Sequence, residues 1–205
     1  MSVIANRAAA WLVRHARPLV AEGVCYGASD IAADVADTER SARQLAAQLP
    51  AGVGVWSSPL RRCTALSDAL MALRADLRYQ TDTRLAEMDF GCWEGQLWSD
   101  IPRDAMDEWM SGFQHVRFGG RESTHELMAR VGAAWREARL SKQPWVWITH
   151  AGVIRAALLH ARGVQSVIHS ADWPRDAVAF GASVQINDKR LSSTQAISPA
   201  WHRCT

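Results

Sequence analysis

An α/β fold, with a mostly parallel sheet covered by helices on both faces, is what three features of this sequence predict. Apolar runs of strand length recur at residues 8–13 (AAAWLV), 53–56 and 145–149 (WVWIT). Each run opens into a loop, and a helix-period segment follows each loop, which is the strand-loop-helix repeat of such a sheet. The length of 205 residues, 48% hydrophobic and 21% charged, suits one domain spanning residues 1–205, with 1–9 as a loose N-terminus.

The first run ends abruptly in Arg14-His15-Ala16-Arg17-Pro18, where proline disfavours helix propagation, so a buried strand opens into a loop. Residues 22–34 carry Gly23, Gly27, Ser29 and Asp30 without periodicity and read as loop; Asp37 or Thr38 then caps a helix through about Leu49, stopped by Pro50. The second strand, 53–56, is followed by Ser57-Ser58-Pro59, a helix-start signal, and a helix over 60–73. Residues 84–98 have no steady period and contain two glycines, which marks a loop suited to function. Residues 122–140 instead place Leu127, Val131, Ala134, Trp135 and Ala138 at helical spacing. The third strand, 145–149, leads through a tight turn at His150-Ala151-Gly152 into a helix over 153–161, and a closing strand lies within 177–186.

Charge and composition narrow the partners. Twenty-three Lys and Arg against 21 Asp and Glu leave +2, too little for sustained neutralisation of a nucleic-acid backbone. No stretch approaches the roughly 18 apolar residues of a membrane span, and the first residues lack a secretory pattern, so a soluble cytoplasmic protein without membrane or nucleic-acid partners is expected. Cys25, Cys63, Cys92 and Cys204 lie far apart without C-x-x-C spacing, which predicts free thiols. Ten Trp are scattered through the chain and read first as packing.

Spacing also removes several chemistries. There is no P-loop, no G-x-G-x-x-G and no G-x-S-x-G elbow. The arginine that thiolate phosphatases place six residues after the nucleophile is replaced by Ile31, Ala69 and Trp98 after the first three cysteines. His125-Glu126-Leu127-Met128-Ala129 lacks the second histidine of a zinc helix, so neither metal nor cofactor is expected and His125 reads as a surface residue.

What remains is a histidine at each of two strand ends, Arg14-His15 and Thr149-His150, where open α/β sheets place their ligand crevice. A neutral imidazole nitrogen can attack phosphorus, and arginine supplies a planar fork for phosphate oxygens. Arg61 and Arg62, just inside the helix after the second strand, offer a second cation, and that helix's amino end also favours an anion.

The segments L-V-R-H-A at 12–16, S-P-L-R-R at 58–62, L-A-E-M-D-F-G at 85–91 and T-H-A-G at 149–152 resemble the ordered motifs of the histidine phosphatase superfamily, also called phosphoglycerate mutase-like. Within it, Arg14 through Pro18, Gly23, Cys25-Tyr26-Gly27, Asp30 and the later E-M-D-F-G-x-W-E run are similar to bacterial α-ribazole phosphatases. The resemblance implies a three-layer α/β/α sandwich and a metal-independent phosphomonoester hydrolase acting through phosphohistidine. It makes His15 the nucleophile, Arg14 and Arg62 phosphate clamps, His150 a further phosphate contact with Ala151 beside it, and Glu87 the proton donor. Arg61 is the less suited clamp by register, and Asp89 and Glu94 compete with Glu87.

The chain departs from the family pattern at Ala16, Pro18, Ala21 and Ala151, which removes side-chain phosphate contacts from the first loop and narrows backbone approach at the second histidine. Glu122 and Ser123 read as helix capping. Residues 91–121 form a cover in which Trp93, Trp98, Trp109 and Phe113 wall the site. Such a wall suits an aromatic leaving group, with α-ribazole 5′-phosphate, of cobalamin nucleotide-loop assembly, as first candidate and a small phosphorylated metabolite as the partner class. A phosphoglycerate mutase is the enzymatic alternative, for which the cover offers only Arg103, Arg117 and Arg121 as a second anion site. A non-catalytic phosphate-binding module is the other.

Overall fold

Five strands and five α-helices make up the α/β fold in this computed structural model, which describes residues 9–186. In chain order they are β1 (Ala10–Arg14), α1 (Val35–Gln48), β2 (Gly54–Ser57), α2 (Arg61–Leu73), β3 (Tyr79–Thr81), α3 (Arg103–Ser111), α4 (Thr124–Ala138), β4 (Trp145–Thr149), α5 (Ala151–Ala161) and β5 (Ser183–Ile186). The sheet order is β3-β2-β4-β1-β5, parallel except for β5, which runs antiparallel to β1.

Because successive strand residues point to opposite faces, β1 and β4 each feed two cores. Ala10, Leu12, Trp145 and Trp147 pack with Leu127, Val131 and Trp135 of α4 and Val153 and Ile154 of α5. Trp11, Val13, Val146 and Ile148 face the other way, against Ala42 and Leu45 of α1 and Cys63, Leu66 and Leu70 of α2. Helices thus cover both faces of the sheet. The strand β4, flanked by β2 and β1, is buried along its whole length.

This arrangement brings the two histidines together. Arg14 pairs with Thr149 in the parallel β1-β4 register, and the His15 amide donates to the Thr149 carbonyl at 3.0 Å. Both strands therefore end side by side at the sheet's carboxyl edge.

Several boundaries differ from expectation. Asp34, not Asp37 or Thr38, caps α1: its carboxylate accepts the Asp37 amide at 2.7 Å, while the Asp37 side chain accepts the Arg17 amide. Helix α5 begins at Ala151 directly after His150, so the expected tight turn is the helix's first turn. Strand β3 and helix α3 were not expected from the sequence; β3 is a three-residue strand that pairs, among the described residues, only with β2, and α3 lies inside 91–121. The 177–186 expectation narrows to β5. Among the described residues no helix is long and apolar enough to cross a membrane, and Cys25, Cys63 and Cys92 are free thiols. The loose segment expected at 1–9 and Cys204 fall outside the described residues, save Ala9.

Candidate active site

His15 sits just past β1, 2% exposed. Its Nδ1 lies 2.7 Å from the Ala16 carbonyl oxygen, which can only accept, so Nδ1 carries the proton and Nε2 keeps its lone pair. Burial, then the positive charges of Arg62 and Arg14, outweigh the Ala16 bond and lower its pKa to about 3. The imidazole is a neutral base at physiological pH. Arg14 donates Nη1 to the Val178 carbonyl at 2.9 Å and stacks 3.8 Å over the Phe180 ring, while its buried Nε has no partner among the described residues. Phe180 also lies 5.5 Å from the His15 ring, covering the pair.

Glu87 reaches the same place from the loop after β3. One carboxylate oxygen accepts the Gly152 amide at 3.0 Å, in the first turn of α5, and the other accepts the Met88 amide at 3.1 Å. Its backbone is held from behind: Arg130 of α4 donates to the carbonyls of Arg84, Ala86 and Glu87 and pairs with Glu122 at 2.6 Å. Glu122 also accepts the Asp89 amide, so it belongs to this clamp, whereas Ser123 caps α4 through a capping box with Glu126. Neither competitor lines the cavity that His15 and Glu87 share: Glu94 accepts from Ala28, Ser29 and Phe90 amides, and Asp89 accepts the Gly91 amide and faces Arg121.

Arg62 and His150 lie behind His15, both fully buried. The His150 ring centroid is 5.1 Å from that of His15. Arg62 Nε donates to His150 Nδ1 at 3.2 Å, which leaves the His150 proton on Nε2, 2.8 Å from Ser58 Oγ. The other Arg62 nitrogens donate to the Ser29 and Gly27 carbonyls at 2.7 and 2.6 Å. Burial, then Arg62, holds the His150 pKa well below its ordinary value.

Arg62 and His150, expected to touch phosphate directly, are bonded to protein groups around His15. Neither side chain lines the cavity, although both surround the nucleophile candidate, and each terminal Arg62 nitrogen keeps one N–H beyond its bond to a carbonyl. Arg61 is exposed and its amide is taken by Asp30 at 2.6 Å, so the start of α2 already holds a carboxylate rather than an open anion site.

In front of His15 opens a cavity of about 560 Å³. Arg14, His15, Glu87, Ala151 and Gly152 form its polar end. Tyr26, Phe90, Trp98, Trp109, Phe113 and Trp173 wall the remainder, with Met88, Met110 and Leu127 between them. Of the expected aromatic wall, Trp98, Trp109 and Phe113 line the cavity; Trp93 instead packs on Phe118, 5.9 Å between centroids, in a small core with Cys25 and Ile101. The cover's arginines are turned elsewhere: Arg103 faces Asp107, Arg117 pairs with Glu126 and Arg121 faces Asp89.

Sequence reasoning missed Arg155, Trp173 and Arg175, all of which line the cavity. Arg155 lies one helical turn beyond Ala151 on α5, a spacing that could have flagged it; residues 170–175 carry no periodicity or motif. Among the described residues no three His, Cys, Asp or Glu side chains converge as a metal site. The arrangement offers a neutral imidazole nitrogen, a carboxyl group and a cation around one end of an aromatic cavity, which suits transfer of an anionic group from a bulky alcohol.

Known proteins agree with this geometry at the level of fold. A family model described as the histidine phosphatase superfamily, branch 1, matches residues 10–172. The mycobacterial glucosyl-3-phosphoglycerate phosphatase is similar, with a TM-score of 0.72 and 23% identity over 87% of this chain and 89% of that one. A structure described as mycobacterial hydrolase 1 reaches a TM-score of 0.74 at 22% identity, covering 88% and 89% of the two chains. The protein TTHB049 from Thermus thermophilus is 29% identical over 87% of this chain and 92% of its own, with a TM-score of 0.65. No curated protein sequence matches significantly.

Proposed function

This chain belongs to branch 1 of the histidine phosphatase superfamily, and from that membership we propose that it is a phosphomonoester hydrolase working through a phosphohistidine. The observation that carries the proposal is the His15 imidazole, buried, neutral and fixed by Ala16 with its Nε2 lone pair free, beside Arg14 and Glu87 at the polar end of the cavity. In the first step His15 Nε2 bonds to phosphorus, the ester P–O bond breaks, and Glu87 gives its proton to the departing alkoxide. In the second step Glu87 takes a proton from water, the water oxygen bonds to phosphorus, and the N–P bond breaks to release phosphate and neutral His15.

Arg14 would hold phosphoryl oxygens from the front, where its Nε has no partner among the described residues. Arg62 and His150 would act mainly from behind, through their charge and polarity. Ala151, at the start of α5, lines the polar end and would turn its amide to the anion, with its methyl group narrowing the approach. With arginine charge and the Ala151 amide in place, the reaction needs no metal ion.

The aromatic cavity supports a flat aromatic leaving group, with α-ribazole 5′-phosphate the first candidate and the cytoplasm as the setting. A second reading of the substrate rests on Arg155 and Arg175 at the cavity wall, which favour a leaving group bearing an anion, as in glucosyl-3-phosphoglycerate. Rapid quench with phosphorus-labelled ester tests the chemistry: label should be alkali-stable, acid-labile and absent from His15→Ala. Label retained in that variant rejects the assignment. Turnover of both candidate esters, measured with and without a chelator, decides between substrates, and loss of activity to the chelator with restoration by one metal rejects metal independence.

A further inference from the structure

We propose that Gly152 is a positioning residue that seats the Glu87 carboxyl, and that its missing side chain is what leaves room for an acid at the leaving oxygen. The inference rests on the reading of Glu87 as the proton donor. The Gly152 amide donates to Glu87 Oε2 at 3.0 Å. A Cβ at position 152 would overlap Glu87 Oε1 and stand 3.2 Å from Cδ, closer than side-chain carbons normally come. The same backbone therefore holds the carboxyl by its amide and admits it by lacking a side chain.

The main chain of Glu87 cannot retreat to make room. Arg130 holds the carbonyls of Arg84, Ala86 and Glu87, and Arg130 is itself paired with Glu122. What yields to an added methyl is the Glu87 side chain, which swings away from the α5 amide. Helix propensity argues the same way: Gly152 is in the first turn of α5 with ordinary negative φ, where alanine would favour the helix, so a backbone need does not explain glycine here. Contact with Glu87 does.

The test compares two esters, because acid catalysis matters only where the leaving oxygen is too basic to depart unaided. Benzyl phosphate has such an oxygen and 4-nitrophenyl phosphate does not. Gly152→Ala should fold with an undiminished melting temperature and slow single-turnover transfer from benzyl phosphate by about 30- to 100-fold, with at most about a threefold loss on 4-nitrophenyl phosphate. Glu87→Asp in the Gly152→Ala background, whose carboxyl ends one methylene short, should recover part of the benzyl rate.

Equal losses on both esters, or wild-type rates on both, overturn the seat. Glu87→Gln measured alongside separates the two ideas. If it shows no leaving-group dependence, Glu87 is not the acid and the seat falls with it; dependence in Glu87→Gln but not in Gly152→Ala overturns the seat alone.

Discussion

At the scale of single residues, two buried side chains carry the chemistry and make opposite demands on it. His15 has a pKa lowered to about 3 by burial and two arginines, against an ordinary value near 6.5. Below pH 6.5 the unfolded chain takes up a proton that the folded protein refuses, so stability present above 6.5 is lost as pH falls toward 3. His15→Asn should flatten that acid-side decline in urea titrations between pH 7 and 4; an unchanged slope would show that His15 titrates normally. Arg62 makes the converse demand, since it is charged and fully buried and satisfies the Gly27 and Ser29 carbonyls together with His150 Nδ1. Arg62→Ala leaves the Gly27 carbonyl and His150 Nδ1 without a donor, the Ser29 carbonyl keeping the Ile31 amide, and we predict a loss of about 2–4 kcal/mol in chemical denaturation. Arg62→Lys should not restore it, because one ammonium cannot reach three acceptors set for a planar fork. Near-normal stability of Arg62→Ala would return Arg62 to a purely phosphate-binding role.

At the scale of elements, the sequence revealed what has a period or a cap and concealed what is fixed only by tertiary contact. Strand β4 matched its apolar run residue for residue, and the two histidines were legible because an apolar run ends at each. Asp34 lost out to Asp37 and Thr38 in the reading because all three are cap-forming residues within five positions, and only the fold shows Asp37 turned to the Arg17 amide. Strand β3 pairs with β2 and is three residues long, too short for any alternation to register. The placement of Arg62 behind His15 was equally hidden, since motif order does not say which arginine donors the protein itself consumes. Helix α4 had the clearest start, Ser123 with Glu126 three residues on, and the structure forms that capping box. Ser123→Ala should therefore destabilise the protein by about 1 kcal/mol. Because α4 carries Arg130, the same change should slow turnover only if the first helical turn frays as far as the Glu87 clamp. Hydrogen exchange of the amides at 124–127 reports that fraying directly, and protection equal to wild type would confine the effect to the cap.

At the scale of the whole molecule, the cavity exists because segments distant in sequence close over one edge of the sheet. The end of β1 supplies Arg14 and the loop after it His15 and Tyr26, the loop after β3 supplies Glu87, α5 supplies Ala151 and Gly152, and the segments 88–113 and 170–175 supply the rest of the aromatic walls. The two halves of that cavity differ in composition: the phosphoryl end is polar and gathers at the end of β1, the start of α5 and the clamped loop of Glu87, whereas the leaving-group end is aromatic and carried largely by loops and the short helix α3. Strand and helix ends, with the loop that Arg130 clamps, thus hold the reacting groups, while the cover sets the choice of substrate. This division predicts separable effects. Trp173 lines the aromatic half and packs edge-on against Phe113 with 6.0 Å between centroids, far in the chain from every group proposed to touch phosphorus. Trp173→Ala should raise KM for 1-naphthyl phosphate by about tenfold through lost apolar contact, while inhibition by inorganic phosphate stays within about twofold of wild type. If phosphate inhibition weakens in step with KM, the wall and the phosphoryl site are one coupled unit, and substrate choice must be sought in Arg155 and the strand ends instead.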